Sequence, residues 1–182
     1  MKIIDNFLSI KEQNLIEGIL LRRDFAWHFK PFTTDVSDFV QIKTNKHNLK
    51  IKDTNFFYHI FYDGDNISSN FYHHIIKVLD KSQIKYKKLV RIKANYYSKS
   101  NFKSDEIHPP HIDGISDNCF SFIYFVNDSD GDFTIFDDNL KVVKKITPKK
   151  GQALLFNSNK YHSGSSPVKS NNRININFVF EM

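Results

Sequence analysis

His111 and Asp113 stand two residues apart in the stretch His108-Pro109-Pro110-His111-Ile112-Asp113-Gly114. On an extended segment, residues at that spacing project to the same face, so one imidazole and one carboxylate can reach one ion. His162 is the candidate for a third ligand. Two imidazoles and a carboxylate form a facial set that binds non-haem Fe(II) and leaves positions open for substrate and oxygen. Zinc accepts the same ligand types. Alone, an H-x-D triplet is a weak signal in a chain with 8 His, since such triplets arise by accident. Context gives it force. A turn and an apolar strand, Pro148 to Phe156, lead to Tyr161-His162-Ser163-Gly164, and Arg173 opens a final strand running to Phe180. In that strand Arg173, Asn175 and Asn177 share one face and Ile174, Ile176, Phe178 and Phe180 the other, as a polar cavity wall requires.

This order, H-x-D, then a distal histidine, then a basic residue shortly after it, resembles the Fe(II)/2-oxoglutarate-dependent dioxygenases, and their prolyl 4-hydroxylase-like branch in particular. The resemblance covers the C-terminal half of the chain and is looser before it. It implies a short helical region followed by a double-stranded β-helix, so the expected fold is mainly β with flanking helices (α+β) around a jelly-roll core. It also implies that His111, Asp113 and His162 are the catalytic metal ligands, with Fe(II) in preference to zinc. 2-Oxoglutarate would be the cosubstrate, its distal carboxylate in a bidentate pair with Arg173. O2 would take the last position, with ascorbate as a supporting reductant. Asn175 stands where the family often has serine. Asn95 and Tyr97 resemble an N-x-Y seen in some relatives, where these residues touch 2-oxoglutarate. Tyr124 is a further candidate hydroxyl for the cosubstrate, with a core tyrosine as the equal alternative. Related halogenases lack the carboxylate that Asp113 supplies, which favours hydroxylation.

The substrate expected from the resemblance is a protein or peptide side chain, prolyl in the first instance, hydroxylated with release of succinate and CO2; small molecules stay open. A second reading is a nucleic-acid or nucleotide oxidative demethylase of the alkylation-repair type. Those enzymes carry N-x-Y before H-x-D and R-x-N-x-T-x-R at the end, whereas Val179 stands here in place of the last arginine. The run Lys85, Lys87, Lys88, Arg91, Lys93 supplies either phosphate contacts or a solvated face. A third reading is a non-catalytic metal-binding jelly roll, against which the complete ligand set argues.

The elements that position these residues follow from pattern. A chain of 182 residues is most simply one domain, with residues 1–88 supplying helices and supporting strands and 89–182 the catalytic core. Ser9-Ile10-Lys11-Glu12 has the form of a capping box, opening a helix with Leu15, Ile16, Ile19 and Leu20 on one face. Phe25 to Phe29 reads as a first strand and Asn55 to Tyr62 as a second, closed by Asp63-Gly64-Asp65. Ile67, Phe71, Ile75 and Val78 mark a second helix. From Leu89 the period becomes two, with Val90, Ile92 and Ala94 inward and Arg91, Lys93 and Asn95 on the other face. Further strands are expected at Phe120–Val126, Phe133–Phe136, Leu140–Ile146, Ala153–Phe156 and Ile174–Phe180. The polar stretch from Thr33 to Lys50 reads as a surface excursion near the mouth of the site.

Composition sets outer bounds. Hydrophobic residues make up 40% and charged residues 25%, ordinary for a globular protein, while 18 Phe and 8 Tyr make the apolar part aromatic. No apolar run approaches a membrane span. The start, Met1 to Asn6, lacks a signal peptide's apolar region, and a single cysteine, Cys119, suits reducing surroundings, so a cytoplasmic location is expected. The net charge of +6 permits a polyanionic partner without selecting one. Abundant Lys, Asn and Ile suit an AT-rich genome such as a phage's.

Overall fold

In the computed structural model of the chain, residues 1–34, 47–103, 105–113 and 116–182 are described. Their elements run, in order, β1 (Lys2–Ile4), α1 (Ile10–Leu20), β2 (His28–Lys30), β3 (Lys50–Ile51), β4 (Phe56–Asp63), β5 (Asn66–Ile67), α2 (Tyr72–Lys81), β6 (Lys88–Ser98), β7 (Glu106–Ile107), β8 (Cys119–Phe125), β9 (Phe133–Phe136), β10 (Val142–Ile146), β11 (Ala153–Asn157), β12 (His162–Gly164) and β13 (Asn172–Glu181). Most of the excursion expected between Thr33 and Lys50 lies outside the described residues, as does Gly114.

The main sheet has the order β1-β11-β8-β13-β6-β4-β2, with β5 paired to β4; a smaller sheet is ordered β10-β9-β12, and β3 and β7 form a parallel pair. The two larger sheets face each other across Ile123, Phe125, Leu154 and Phe156 on one side and Phe133, Ile135 and Ile146 on the other. This is the expected double-stranded β-helix, with helices on the outer face of the main sheet.

Strand parity decides what faces what. β13 lies between β8 and β6, antiparallel to both. Its Ile174, Ile176, Phe178 and Phe180 enter the core shared with Ile16, Ile19 and Leu20 of α1 and Ile75, Val78 and Leu79 of α2. The intervening Arg173, Asn175 and Asn177 are therefore delivered to the inner face. A bulge in β6 shifts the expected alternation: Arg91 pairs with Val179 but Leu89 with Phe180, so Val90 is the extra residue and Leu89 replaces it in the core.

Local signals account for the helices and for three departures from expectation. The Ser9 backbone N–H donates to Glu12 Oε2 at 2.8 Å and the Glu12 N–H to Ser9 Oγ at 3.4 Å, so the capping box forms. Leu15 is exposed, and the buried place nearby goes to Gln13, whose Nε2 donates to the Leu8 carbonyl at 2.8 Å. The second helix begins only at Tyr72, because Ile67 belongs to the hairpin strand β5 after the Gly64-Asp65 turn. The strand expected from Phe25 is confined to β2, since Phe25 turns inward against Trp27, His59, Phe61 and Phe71.

Candidate active site

The H-x-D segment lies along β12. The His111 N–H donates to the His162 carbonyl and the His162 N–H to the His111 carbonyl, both at 2.9 Å, while the Asp113 N–H donates to Ser158 O at 3.0 Å. The backbone thus sets both imidazoles and the carboxylate at one end of the small sheet. Ligand atoms of His111, Asp113 and His162 all lie within 4.8 Å of one another, and no other such cluster of three His, Cys, Asp or Glu occurs among the described residues.

Surrounding groups fix how each ligand presents itself. His111 Nδ1 lies 3.2 Å from the Pro109 carbonyl and His162 Nδ1 2.9 Å from the Lys160 carbonyl. Those contacts place the ring proton on Nδ1 and leave Nε2 free to coordinate. Asp113 Oδ1 accepts from Arg91 Nη2 at 3.0 Å, and Oδ2 accepts from Asn177 Nδ2 at 2.5 Å and Ser121 Oγ at 3.3 Å. Burial alone would raise the Asp113 pKa, but His162, Arg91 and His111 outweigh it and hold the carboxyl well below the usual range. Burial, then the neighbouring His162, lowers the His111 imidazole to about 4. Both ligands therefore stay in their metal-binding protonation states through the neutral range.

Arg173 lies farther along the inner face, 2% exposed, with its guanidinium carbon 4.2 Å from the centre of the Tyr97 ring. Its polar contact is a long one, Nη1 to the Asp132 carbonyl at 3.4 Å, and Nε has no partner. Burial pushes its pKa below the ordinary value, opposed by Tyr97 and Asp132. The cradle is made by Gly164: a Cβ there would come within 2.3 Å of the guanidinium nitrogens. A buried cation without a carboxylate partner is costly unless an anion joins it.

The three ligands, Asn177, Gly164 and Arg173 line one cavity of about 490 Å³, whose walls also include Thr33 and Phe56. Asn95, Tyr97 and Asn175 share its wall with Arg173, and Asn95 Nδ2 donates to Asn175 Oδ1 at 3.0 Å. Tyr124 does not. It pairs with Ile176 and Ala153 and enters the helix-side core, its hydroxyl buried without a partner, because its parity in β8 is opposite to that of Ser121 and Ile123. The alternative of a core tyrosine is the one realised. His108, at the head of the H-x-D stretch, is 2% exposed and shares a hydrogen bond with Ser166 Oγ at 3.1 Å, packed against Tyr97 and Phe102.

Four contributors were not expected as site residues: Ser121, Gly164, Arg91 and Lys93. Lys93 was legible through the alternation that puts Asn95 on the polar face. The basic run to which it belongs does not form one phosphate-binding stripe. Lys87 bonds the Met182 carbonyl, Lys88 lies 3.9 Å from Asp65, Arg91 holds Asp113, and Lys93 turns into the cavity.

The site fits a divalent metal and a dicarboxylate, and the comparisons agree. The family model of the 2OG-Fe(II) oxygenase superfamily matches residues 93–181. No curated protein matches the chain. Among solved structures, an oxidoreductase of the 2OG-Fe(II) oxygenase family from Burkholderia pseudomallei is similar at 14% identity, covering 98% of this chain and 84% of that one, TM-score 0.68. A prolyl hydroxylase from Trichoplax adhaerens, solved with a hypoxia inducible factor peptide, matches at 18% identity over 99% and 82%, TM-score 0.61. The viral collagen prolyl hydroxylase of Paramecium Bursaria Chlorella virus-1, solved with 2OG, matches at 19% over 100% and 96%, TM-score 0.56. At such identities the likeness to these structures is one of fold.

Proposed function

With residues 93–181 belonging to the 2OG-Fe(II) oxygenase superfamily, an oxygenase family that uses Fe(II), 2-oxoglutarate and O2, we propose that this chain is a single-domain hydroxylase acting on a C–H bond of a protein or peptide side chain. One observation carries the reading: two imidazoles and a carboxylate converge in the same cavity as a buried guanidinium that has no carboxylate partner among the described residues. His111, Asp113 and His162 would hold the metal through Nε2, a carboxylate oxygen and Nε2 respectively. Arg173, set by Gly164 and Tyr97, would take the distal carboxylate of 2-oxoglutarate in a bidentate pair, with Asn95 and Asn175 beside it.

Bound Fe(II) would let O2 oxidise both 2-oxoglutarate, to succinate and CO2, and the substrate C–H bond, to an alcohol. The chain's own part is positioning and shielding. His162 and Arg91 keep Asp113 ionised, and Arg91, Asn177 and Ser121 orient it. Ile123, Phe133 and Phe56 give the cavity apolar walls that exclude water from the reacting centre. A peptide substrate is supported by the prolyl hydroxylases among the similar structures. The demethylase reading lacks a continuous basic track along the described surface of β6.

The test is an anaerobic titration of the metal-free protein with Fe(II) and then 2-oxoglutarate, following the visible charge-transfer band of a chelated 2-oxo acid. The band is expected in the wild type and lost in His162→Ala. Iron binding without any band on adding 2-oxoglutarate would bring the non-catalytic jelly roll forward.

A further inference from the structure

Lys93 holds neither the metal nor the cosubstrate in the proposed site. It lies on the inner face of β6 between Asn177 of β13 and Ile60 of β4, part-buried, and its ammonium sits 5.9 Å from the centre of the Phe56 ring. Among the described residues it has no hydrogen bond and no carboxylate within ion-pair distance, although it shares the cavity with Asp113. The oxygens of Asp113 are already taken by Arg91, Asn177 and Ser121. Desolvation, then the charge of Arg91, makes the free ammonium costly and lowers its pKa to about 8.

The anion that would compensate it is not the one Arg173 awaits. Arg173 is level with Tyr97, and Lys93 with Asn177, four residues along the sheet, a backbone separation of about 13 Å. An extended five-carbon diacid spans only about 5 Å between its terminal carbons. Lys93 stands at the level of the metal ligands, since its register partner Asn177 bonds Asp113; 2-oxoglutarate docked on Arg173 with its other end on the metal would therefore have one carboxylate far from Lys93 and the other engaged by the ion. With Fe(II) and 2-oxoglutarate bound, the charges of the metal, Arg91, Lys93 and Arg173 would exceed those of Asp113 and the two carboxylates, while Lys30 and Asp63 act on Lys93 in opposite senses. An additional anionic group therefore belongs on the substrate side.

We propose that Lys93 selects the substrate, and that the peptide oxidised here carries an acidic side chain beside the reacting residue, its carboxylate seated on the Lys93 ammonium. This rests on the oxygenase reading and narrows it to acidic peptides. A single part-buried cation, unlike an exposed basic track, suits one carboxylate better than a phosphodiester backbone.

The experiment uses the Fe(II)-loaded protein without oxygen, with and without 2-oxoglutarate, and ligand-detected NMR on acetylated tripeptide amides in matched pairs, Glu against Gln at each position. In the wild type, the acid member of at least one pair should bind tenfold or more tighter, the expected worth of a charge-assisted bond, about 1.5–3 kcal/mol. Lys93→Met should erase that preference, Lys93→Arg should keep it, and neither should alter 2-oxoglutarate affinity as Arg173→Ala does. The proposal is overturned by equal binding within every pair, by a preference that survives Lys93→Met, or by Lys93→Met weakening 2-oxoglutarate as Arg173→Ala does. A dinucleotide bound tighter than every acidic peptide would also overturn it, in favour of nucleic acid. Failure of 2-oxoglutarate to bind the wild type speaks against the oxygenase reading, and the paired peptides still judge Lys93.

Discussion

Single atoms decide what the cavity can hold. Gly164 leaves room for the Arg173 guanidinium, so Gly164→Ala should displace it and weaken 2-oxoglutarate binding by about tenfold or more, the scale of one charge-assisted interaction, while Fe(II) still binds; titration of both ligands checks this. The His111 imidazole titrates lower folded than unfolded, near 4 against an ordinary value of about 6.5. Between those values the unfolded chain binds more protons, so metal-free protein should lose stability steadily as pH falls from about 6.5 to 4, as denaturant midpoints across that range will show. Tyr124→Phe removes a buried hydroxyl that has no partner and should leave 2-oxoglutarate affinity unchanged and stability equal or higher. Reduced affinity in that variant would return Tyr124 to the site. At this scale the sequence exposed the ligands, because H-x-D spacing is itself geometry. It could not expose Gly164, whose role exists only once β12 and β13 are folded together.

Elements carry the site through parity and register. The alternation of β13 told correctly which residues face the cavity and which the helices, and the same rule applied to Phe120–Val126 would have put Tyr124 with Phe122 on the helix side. A nearly continuous apolar run hid that rule, since both faces of β8 are buried. The β6 bulge was illegible because an extra residue leaves no mark in a run as apolar as Leu89-Val90. Phe178 sits at the contact between sheet and helices, fully buried against Phe122, so Phe178→Ala should cost about 3–5 kcal/mol in chemical unfolding. Ser9→Ala should cost about 1 kcal/mol through the lost helix cap and leave metal affinity untouched, which separates a scaffold defect from a site defect.

For the molecule as a whole, the fold class was legible because many short strands with turn signals admit few architectures, and the two helices because their stripes and one cap were explicit. The edge strand β1 was not, since Lys2–Ile4 is too short to show a period. Metal binding should stabilise the entire chain by mass action, about 2.7 kcal/mol at a hundredfold excess over Kd, read as a rise in melting temperature that His111→Ala abolishes. The position of β13 has one more consequence, for how the protein is made. Among the described strands β13 is the central one of the main sheet and joins β8 to β6, although it follows β6 only after six intervening strands. At about 5–20 residues per second of synthesis, β6 waits several seconds on the ribosome for its neighbour. Throughout that interval two long strand edges and the apolar face of the sheet stay open, so the nascent chain is exposed to misassociation until β13 emerges.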